Sequence, residues 1–252
     1  MTDPDSKSRF SDRVQNYVRY RPGYPAGVVD ILKREVPLDD DSLVVDVGSG
    51  TGISSAMFLE AGFAVAGVEP NPPMREAAER LLAKYDRFRS IDGSAAATTL
   101  DDACARLIVA AQAFHWFAND DTRAEFSRIL RRDGKIAIIW NERLLDADDF
   151  HRDYEALLER FGTDYASIRH ENTGEQVLTG FFRGSFDCHA FDNAQHFDLA
   201  GLEGRLLSSS YTPAPGDPDH QPMLAALHDL FSRHAIGGQV TIRYRTRVYL
   251  GR

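Results

Sequence analysis

Three closely spaced glycines, Gly48, Gly50 and Gly52, follow a short apolar segment that contains Asp46. Glycine adopts backbone angles closed to other residues and has no side chain to hold a ligand away from the main chain. A second apolar segment ends in Glu69, about twenty residues further on, where a carboxylate can accept hydrogen bonds from both hydroxyls of a ribose. The spacing therefore predicts binding of an adenosine-containing cofactor.

The glycine spacing argues against NAD as that cofactor. A dinucleotide fingerprint has its third glycine three positions after the second, where this chain has Ile53, and here the third glycine comes one position earlier. The Asp-x-Gly-x-Gly-x-Gly arrangement resembles the first motif of class I S-adenosylmethionine-dependent methyltransferases. The resemblance implies that Asp46, Gly48 and Gly50 bind S-adenosylmethionine beside its methionine and ribose portions, and that Glu69 holds the ribose.

Further segments resemble the small-molecule methyltransferases related to trans-aconitate methyltransferase. They are Phe10–Tyr17, Tyr20–Pro25, Ala111–Phe117 and Arg128–Lys135. The resemblance extends over nearly the whole chain and implies a single methyltransferase domain, residues 1–252, whose first 25 or so residues form a lid over the site. It also implies transfer of a methyl group to a small organic molecule, for which a carboxylic acid is one candidate.

The family resemblance extends to the adenine and methionine ends of the cofactor. It implies that the side chain of Ser94 and the amide of Ala95 contact adenine, with a plain loop as the alternative. Gln112 follows an apolar strand at the edge where open α/β sheets bind ligands, and is expected near the methionine end. His115 and Trp116 follow closely; His115 is a candidate general base, or else an imidazole that orients the substrate or supports the structure.

Five residues are candidates for substrate binding, each with a structural alternative. Trp116 is expected in the pocket wall, while Tyr17 and Tyr20 face the site only if the N-terminal segment folds over it, and otherwise pack that segment onto the sheet. Arg21 can hold a carboxylate of the cofactor or of an acidic substrate, or form a surface salt bridge. Asn141 can orient the substrate or cap the segment that follows it.

Alternating apolar patterns predict the elements that position these residues. Helices are expected over Ala26–Val36, from Ile53 onward, and over Pro73–Tyr85, Arg123–Leu130, Asp148–Phe161, Leu202–Ser208 and Met223–His234. Strands are expected over Val44–Val47, Ala64–Val68, Arg87–Ile91, Leu107–Ala111, Ile136–Trp140, Ser185–Phe191 and Val240–Leu250. This order predicts an α/β fold, with a Rossmann-like, doubly wound, mostly parallel sheet that ends in an antiparallel strand. A helical cap is expected as an insertion at about residues 142–180.

The last strand carries Arg243, Arg245 and Arg247 on one side. Ion pairing or a solvated face is the favoured interpretation, and an acidic substrate or a subunit partner is the alternative. On the helix Pro73–Tyr85, the spacing predicts one buried face that includes Met74 and Leu81.

Composition limits the classes of partner. A net charge of -9 disfavours nucleic acid, because phosphate contacts need clustered cations. The two cysteines, Cys104 and Cys188, have neither metal-ligand nor disulfide spacing, so we expect a protein without a metal. No apolar run is long enough to span a bilayer, and the N-terminus lacks a secretory signal. We therefore expect a cytoplasmic protein. The oligomeric state stays open. A noncatalytic S-adenosylmethionine-binding sensor or scaffold and a nicotinamide dehydrogenase are the alternative functions.

Overall fold

A seven-stranded sheet organises the chain. The computed structural model describes residues 18–163, 165 and 175–252. The strands in chain order are β1 (Leu43–Val47), β2 (Ala64–Val68), β3 (Phe88–Ile91), β4 (Ala105–Ala111), β5 (Leu130–Arg143), β6 (Asp187–Phe197) and β7 (Val240–Gly251). They lie in the order β3-β2-β1-β4-β5-β7-β6, with β7 antiparallel to both neighbours and the other pairs parallel. The predicted fold class is confirmed.

Eight α-helices accompany these strands in the described ranges. They are α1 (Gly27–Glu35), α2 (Ile53–Glu60), α3 (Pro72–Leu82), α4 (Asp120–Ile129), α5 (Asp149–Phe161), α6 (Glu175–Phe182), α7 (Leu199–Leu207) and α8 (His220–His234). Several begin at a side-chain cap: Asn71, Asn119, Asp148 and Asp198 each accept a hydrogen bond from the backbone N–H three residues ahead. Such caps satisfy amides that have no partner inside the helix.

The sheet is covered on both faces because its central strands are apolar on both sides. All seven residues of β4 are buried, as expected for a strand between two helical layers. Ile108 of β4 packs into the core that includes Phe126 of α4, whereas Leu107 packs into the core that includes Phe58 of α2. The carboxyl ends of the parallel strands are thereby held at one edge, where the predicted site residues lie.

A third apolar cluster forms the cap. Helices α5, α7 and α8 contribute residues such as Tyr154, Leu202 and Leu227, and the first half of β7 contributes Ile242 and Tyr244. The predicted cap range, residues 142–180, includes residues 166–174, which lie outside the described part of the chain. Helix α6 packs instead against the main sheet core.

Three expectations about individual elements are wrong. Strand β6 does not end at Phe191 but runs on to Phe197, because β7 pairs with it along its whole length. Leu81 is 46 % exposed, and Leu82 takes the buried position beneath the glycine loop. Strand β5 does not end at Trp140 but runs on to Arg143, because β7 continues to pair with it through Tyr244. Asn141 therefore lies within the strand.

The arginines of β7 form ion pairs. Arg245 lies 2.7 Å from Asp192 of β6, Arg247 lies 2.6 Å from Glu142 of β5, and Arg243 pairs with Asp148. Since β7 lies between β5 and β6, both neighbouring strands supply carboxylates to it. The ion-pairing interpretation of these arginines is confirmed.

Within the described ranges, the helices are too short or too polar to cross a bilayer. Cys104 and Cys188 are not disulfide-bonded.

Candidate functional site

The loop between β1 and α2 turns sharply at its glycines. Gly48, Gly50 and Gly52 have φ angles of 70°, 55° and 85°, in the left-handed region that favours glycine. The amides of Gly48 and Ser49 donate to the carbonyl of Val68 over 2.9 and 3.2 Å. At Gly50, a Cβ atom would meet nothing within 4 Å, so the backbone borders open space there.

Glu69 connects this loop to the end of β2. Its carboxylate accepts hydrogen bonds from the amide of Gly50 at 2.9 Å and from the amide of Asn71 at 2.8 Å. Burial raises the pKa of Glu69, although both amides oppose that shift. Arg75 donates to the backbone carbonyl of Glu69 at 2.9 Å and pairs with Asp92 beyond β3. Glu69, the residue predicted to bind the ribose, therefore holds the glycine loop in its shape.

Asp46 lies beneath the loop. It is completely buried and accepts hydrogen bonds from the hydroxyls of Ser54 and Ser55, at 2.7 and 2.6 Å, through one carboxylate oxygen. Burial raises its pKa, and the two hydroxyls oppose the shift. Asp46 anchors the first turn of α2 to the end of β1, which positions the loop from below.

A cavity of about 860 Å³ opens at the carboxyl edge of the sheet. This volume lies in the range typical of small-molecule sites. One side is the glycine loop, including Gly48 and Gly50, and the other side is formed by the end of β5, the cap and β7. The cavity thus joins the glycine loop to the cap.

Gln112 lies where β4 ends and lines the cavity. Its φ of 60° is unusual for a residue other than glycine, a form of backbone strain that is concentrated at functional sites. Its side-chain amide nitrogen donates to the carbonyl of Asn141 at 3.3 Å, while Oε1 is buried and accepts no hydrogen bond in the described part of the chain. A hydrogen-bond acceptor is therefore held unused at the cavity wall.

The predicted site residues divide into two groups. Gly48, Gly50, Gln112, Arg21 and Asn141 line the cavity. The residues that lie outside its lining are Asp46, Glu69, Ser94, Ala95, Tyr20, His115 and Trp116. Tyr17 lies outside the described residues. Ser94 pairs with Ala97 in a short bridge beyond β3, and Ala95 is buried.

His115 stacks among aromatic rings. It lies in a single 3-10 turn, Phe114–Trp116, with its ring centroid 4.6 Å from that of Trp116 and 5.4 Å from that of Trp140. Trp116 is 40 % exposed. Neither the ring of His115 nor that of Trp116 lines the cavity. Contacts with the neighbouring aromatic rings therefore account for the position of His115.

The segment Tyr20–Tyr24 contacts both β6 and the cap. The ring of Tyr20 packs directly on Gly204 of α7, and its carbonyl accepts a hydrogen bond from Gln195. Arg21 donates to the carbonyl of Ser208 at 2.9 Å. Arg21, Pro22 and Tyr24 therefore border the cavity, and the lid role of the N-terminal segment stays a prediction.

The amide side chain of Asn141 is occupied by protein groups. It donates to the carbonyl of Gly23 at 3.1 Å and accepts from Asn193 and Thr246 at 3.2 and 2.5 Å. Asn141 thereby fastens the N-terminal segment to the sheet, beside the cavity.

Several lining residues were missed by sequence reasoning. Arg143 ends β5, Arg205 belongs to α7, and Tyr165, Tyr211 and Tyr244 surround them. One signal was available: Arg205 lies three residues after Leu202 and directly before Leu206, on the apolar face of its helix. A charge at such a position is rarely buried without a reason.

Comparison with known families matches the region of the chain from β1 to β5. Residues 45–138 match a family model described as a methyltransferase domain. An uncharacterized methyltransferase-like protein of Schizosaccharomyces pombe is 33% identical over 135 residues, which are 53% of this chain and 52% of that protein. An uncharacterized methyltransferase of Mycobacterium tuberculosis is 33% identical over 141 residues, 55% and 54% of the two chains. The match therefore spans about half the length of these relatives.

Structural comparison covers more of the chain. A provisionally assigned type II methyltransferase from Anaeromyxobacter dehalogenans superposes with a TM-score of 0.68 at 20% identity, over 92% of this chain and 98% of the other. A provisionally assigned methyltransferase of an antibiotic biosynthesis pathway from Anabaena variabilis gives a TM-score of 0.59 at 18% identity, over 91% and 98%. At these identities the likeness establishes the fold. The finer resemblance to trans-aconitate methyltransferase stays a prediction.

The buried carboxylate of Asp46 predicts a pH-dependent effect. Its pKa in the folded protein is raised by burial, so its contribution to stability is present below the ordinary value of 3.8 and is lost as the pH rises through the folded pKa. Asp46→Asn keeps an oxygen for Ser54 and Ser55 but does not titrate. The free energy of unfolding of the native protein, relative to this variant, should therefore fall as the pH rises above the ordinary pKa of 3.8.

Urea unfolding of both proteins across this pH range measures the difference. The exposed Asp86, changed to Asn, serves as the control and should show no such trend. A difference between native protein and Asp46→Asn that stays constant, or rises with pH, would contradict the assignment.

Proposed function

We propose that this chain is a class I S-adenosylmethionine-dependent methyltransferase that transfers a methyl group to a small organic molecule, with a carboxylic acid as the acceptor class. The observation that carries this proposal is the single cavity lined by the glycine loop on one side and by five arginines on the other, Arg21, Arg143, Arg205, Arg245 and Arg247. Glu142 and Asp146 also line the cavity, and Arg143, Arg245 and Arg247 pair with carboxylates, so it is the excess of five arginines over two acids in the lining that favours an anionic acceptor.

The residues of the loop side fit the proposed cofactor. The open space at Gly50 lets the cofactor approach the main chain without meeting a side chain. Glu69, which is held against the loop, has carboxylate oxygens with further acceptor capacity for ribose hydroxyls. The unused Oε1 of Gln112 suits the ammonium group of a methionine moiety. We propose that Ser94 and Ala95, in the segment that follows β3, contact the adenine of the cofactor.

When bound, S-adenosylmethionine supplies a methyl group activated by a positively charged sulfur. The chain's own contribution is alignment of the acceptor and exclusion of water, because a methyl transfer is an in-line displacement. A carboxylate acceptor has no proton to lose. This agrees with the stacking of His115 away from the cavity, so we propose an orienting or structural imidazole in place of a general base.

Arg21 and Asn141 are proposed to hold the acceptor side of the cavity in shape. Arg21 lines the cavity from the N-terminal segment while it donates to Ser208 of the cap. Asn141 fastens the same segment through Gly23. We further propose a role for Tyr17 in binding the acceptor, and supporting roles for Tyr20 and Trp116, which lie outside the cavity lining. We also propose a cytoplasmic location, with which two unpaired cysteines agree.

Replacement of Glu69 tests the cofactor half of the proposal. Glu69→Gln keeps the shape of the side chain but loses its charge and one acceptor oxygen. We expect it to weaken binding of S-adenosylhomocysteine, measured by isothermal titration calorimetry, by about 10- to 100-fold, the range for a lost hydrogen bond to a charged group.

Glu76→Gln is the matched control, because Glu76 is exposed on α3 beyond the same loop. It should bind S-adenosylhomocysteine as the native protein does. Equal affinity in Glu69→Gln and native protein would remove Glu69 from the cofactor site, and an absence of saturable binding to the native protein would overturn the proposed function.

Methyl transfer itself separates an enzyme from a sensor. With S-adenosylmethionine labelled in its methyl group and a small-molecule extract, we expect the label in a methyl ester of an organic acid, with S-adenosylhomocysteine as the other product. Because methyl esters hydrolyse readily, mild base should release that label as methanol. A base-stable product would contradict the carboxylic acid acceptor, and an absence of labelled product would favour the sensor.

A further inference from the structure

We propose that Arg205, supported by Arg143, forms an anion subsite at the cap side of the cavity and holds a carboxylate of the methyl acceptor. The inference rests on the proposed function for the identity of that acceptor. It adds a specificity-determining residue that neither the glycine motif nor the methyltransferase domain match includes, since Arg205 lies beyond residues 45–138.

Arg205 is a buried cation that pairs with no carboxylate among the described residues. The residue is only 7% exposed. Its Nε donates to the hydroxyl of Tyr244 at 3.3 Å, and its Nη1 donates to the hydroxyls of Ser208 and Ser209 at 3.4 and 3.2 Å. Within the described ranges all these partners are neutral hydroxyls, and Nη2 forms no hydrogen bond. Buried charges in proteins are normally paired, so an unpaired one at a cavity wall points to a ligand.

The other cations of the cavity are largely neutralised. Arg143 pairs with Glu155, Arg245 with Asp192, and Arg247 with Glu142. Burial raises the pKa of Tyr154 and of Tyr165, so both phenols stay neutral and cannot offset the charge of Arg205. Arg205 therefore contributes a positive charge that no carboxylate of the described residues offsets, which suits a carboxylate of the acceptor.

Arg143 adds a second donor. Its Nη2 contacts Glu155 and donates to the hydroxyl of Tyr165 at 2.7 Å, but Nη1 is buried and has no hydrogen-bond partner among the described residues. Tyr154 and Tyr211 lie within electrostatic range of both Arg143 and Arg205, so the two guanidinium groups share one neighbourhood. Two forks of N–H donors around one space suit a carboxylate, which accepts several hydrogen bonds in a plane.

The local structure does not need the charge of Arg205. The hydroxyl of Ser208 also donates to the carbonyl of Arg205 at 2.7 Å, and the hydroxyl of Tyr244 donates to Gln195 at 2.9 Å. Both hydroxyls would keep a partner if the guanidinium were removed. A structural role therefore predicts loss of stability on substitution, whereas a binding role predicts loss of ligand with stability kept.

The experiment uses the full chain saturated with S-adenosylhomocysteine, and malonate as the carboxylate probe. We expect saturable malonate binding by calorimetry, and none for the uncharged malonamide. Arg205→Met should weaken malonate binding by about 10- to 100-fold and leave both the affinity for S-adenosylhomocysteine and the melting temperature unchanged or higher. Arg205→Lys, which keeps the charge, should retain more of the malonate affinity.

Arg243→Gln is the control, because Arg243 pairs with Asp148 and does not line the cavity. It should bind malonate as the native protein does. The subsite would be overturned if Arg205→Met bound malonate with native affinity, melted at a clearly lower temperature or failed to fold. Tighter binding of sulfate than of malonate by the native protein would also overturn it. An absence of S-adenosylhomocysteine binding by the native protein would instead count against the proposed function. Failure of the subsite and failure of the proposed function are therefore distinguishable.

Discussion

The contact between the carboxylate of Glu69 and the amide of Gly50 fixes the geometry on which the rest of the site depends. It joins the end of β2 to the loop after β1, so the side chain of Glu69 holds two neighbouring strand ends together. Asp46 holds the same loop from below, through Ser54 and Ser55. Because both acids are buried, the loop is built around carboxylates whose pKa values burial raises. The open face of the loop is left for a ligand.

The cavity combines two parts of the chain with different architecture. The loop side belongs to the parallel sheet that the methyltransferase domain match covers. The opposite side is made by β7 and the cap, where Tyr244 belongs to the cap core and also meets Arg205. The domain match therefore includes the loop side of the cavity, whereas β7 and the cap lie beyond it. This division agrees with the general rule that fold alone does not determine substrate.

The sequence predicted the sheet well because its signals are local. Apolar strands such as Val44–Val47 and Ala64–Val68 are followed by caps and glycines that mark where each element ends. The prediction that Leu81 is buried was wrong because the choice between two adjacent leucines depends on which residues pack against the helix. It is Leu82 that packs under Gly52. The extension of β5 to Arg143 likewise depends on pairing with β7, a strand about a hundred residues further on.

The site was predictable on the loop side and only in part on the cap side. Gly50 and Gln112 were found because they belong to a motif and to a strand end. Arg205 carries no motif, and its position depends on how α7 packs against β7 and on the tyrosines around it. Its placement on an apolar helix face was the one local signal.

The most direct test of the account is a crystal structure of the protein soaked with S-adenosylhomocysteine. The account predicts density for the ligand in the cavity beside Gly48 and Gly50, with the ribose hydroxyls at Glu69 and the arginine-lined end still open for an acceptor. Density for the ligand at another place, or a crevice closed by side chains under saturating ligand, would contradict it.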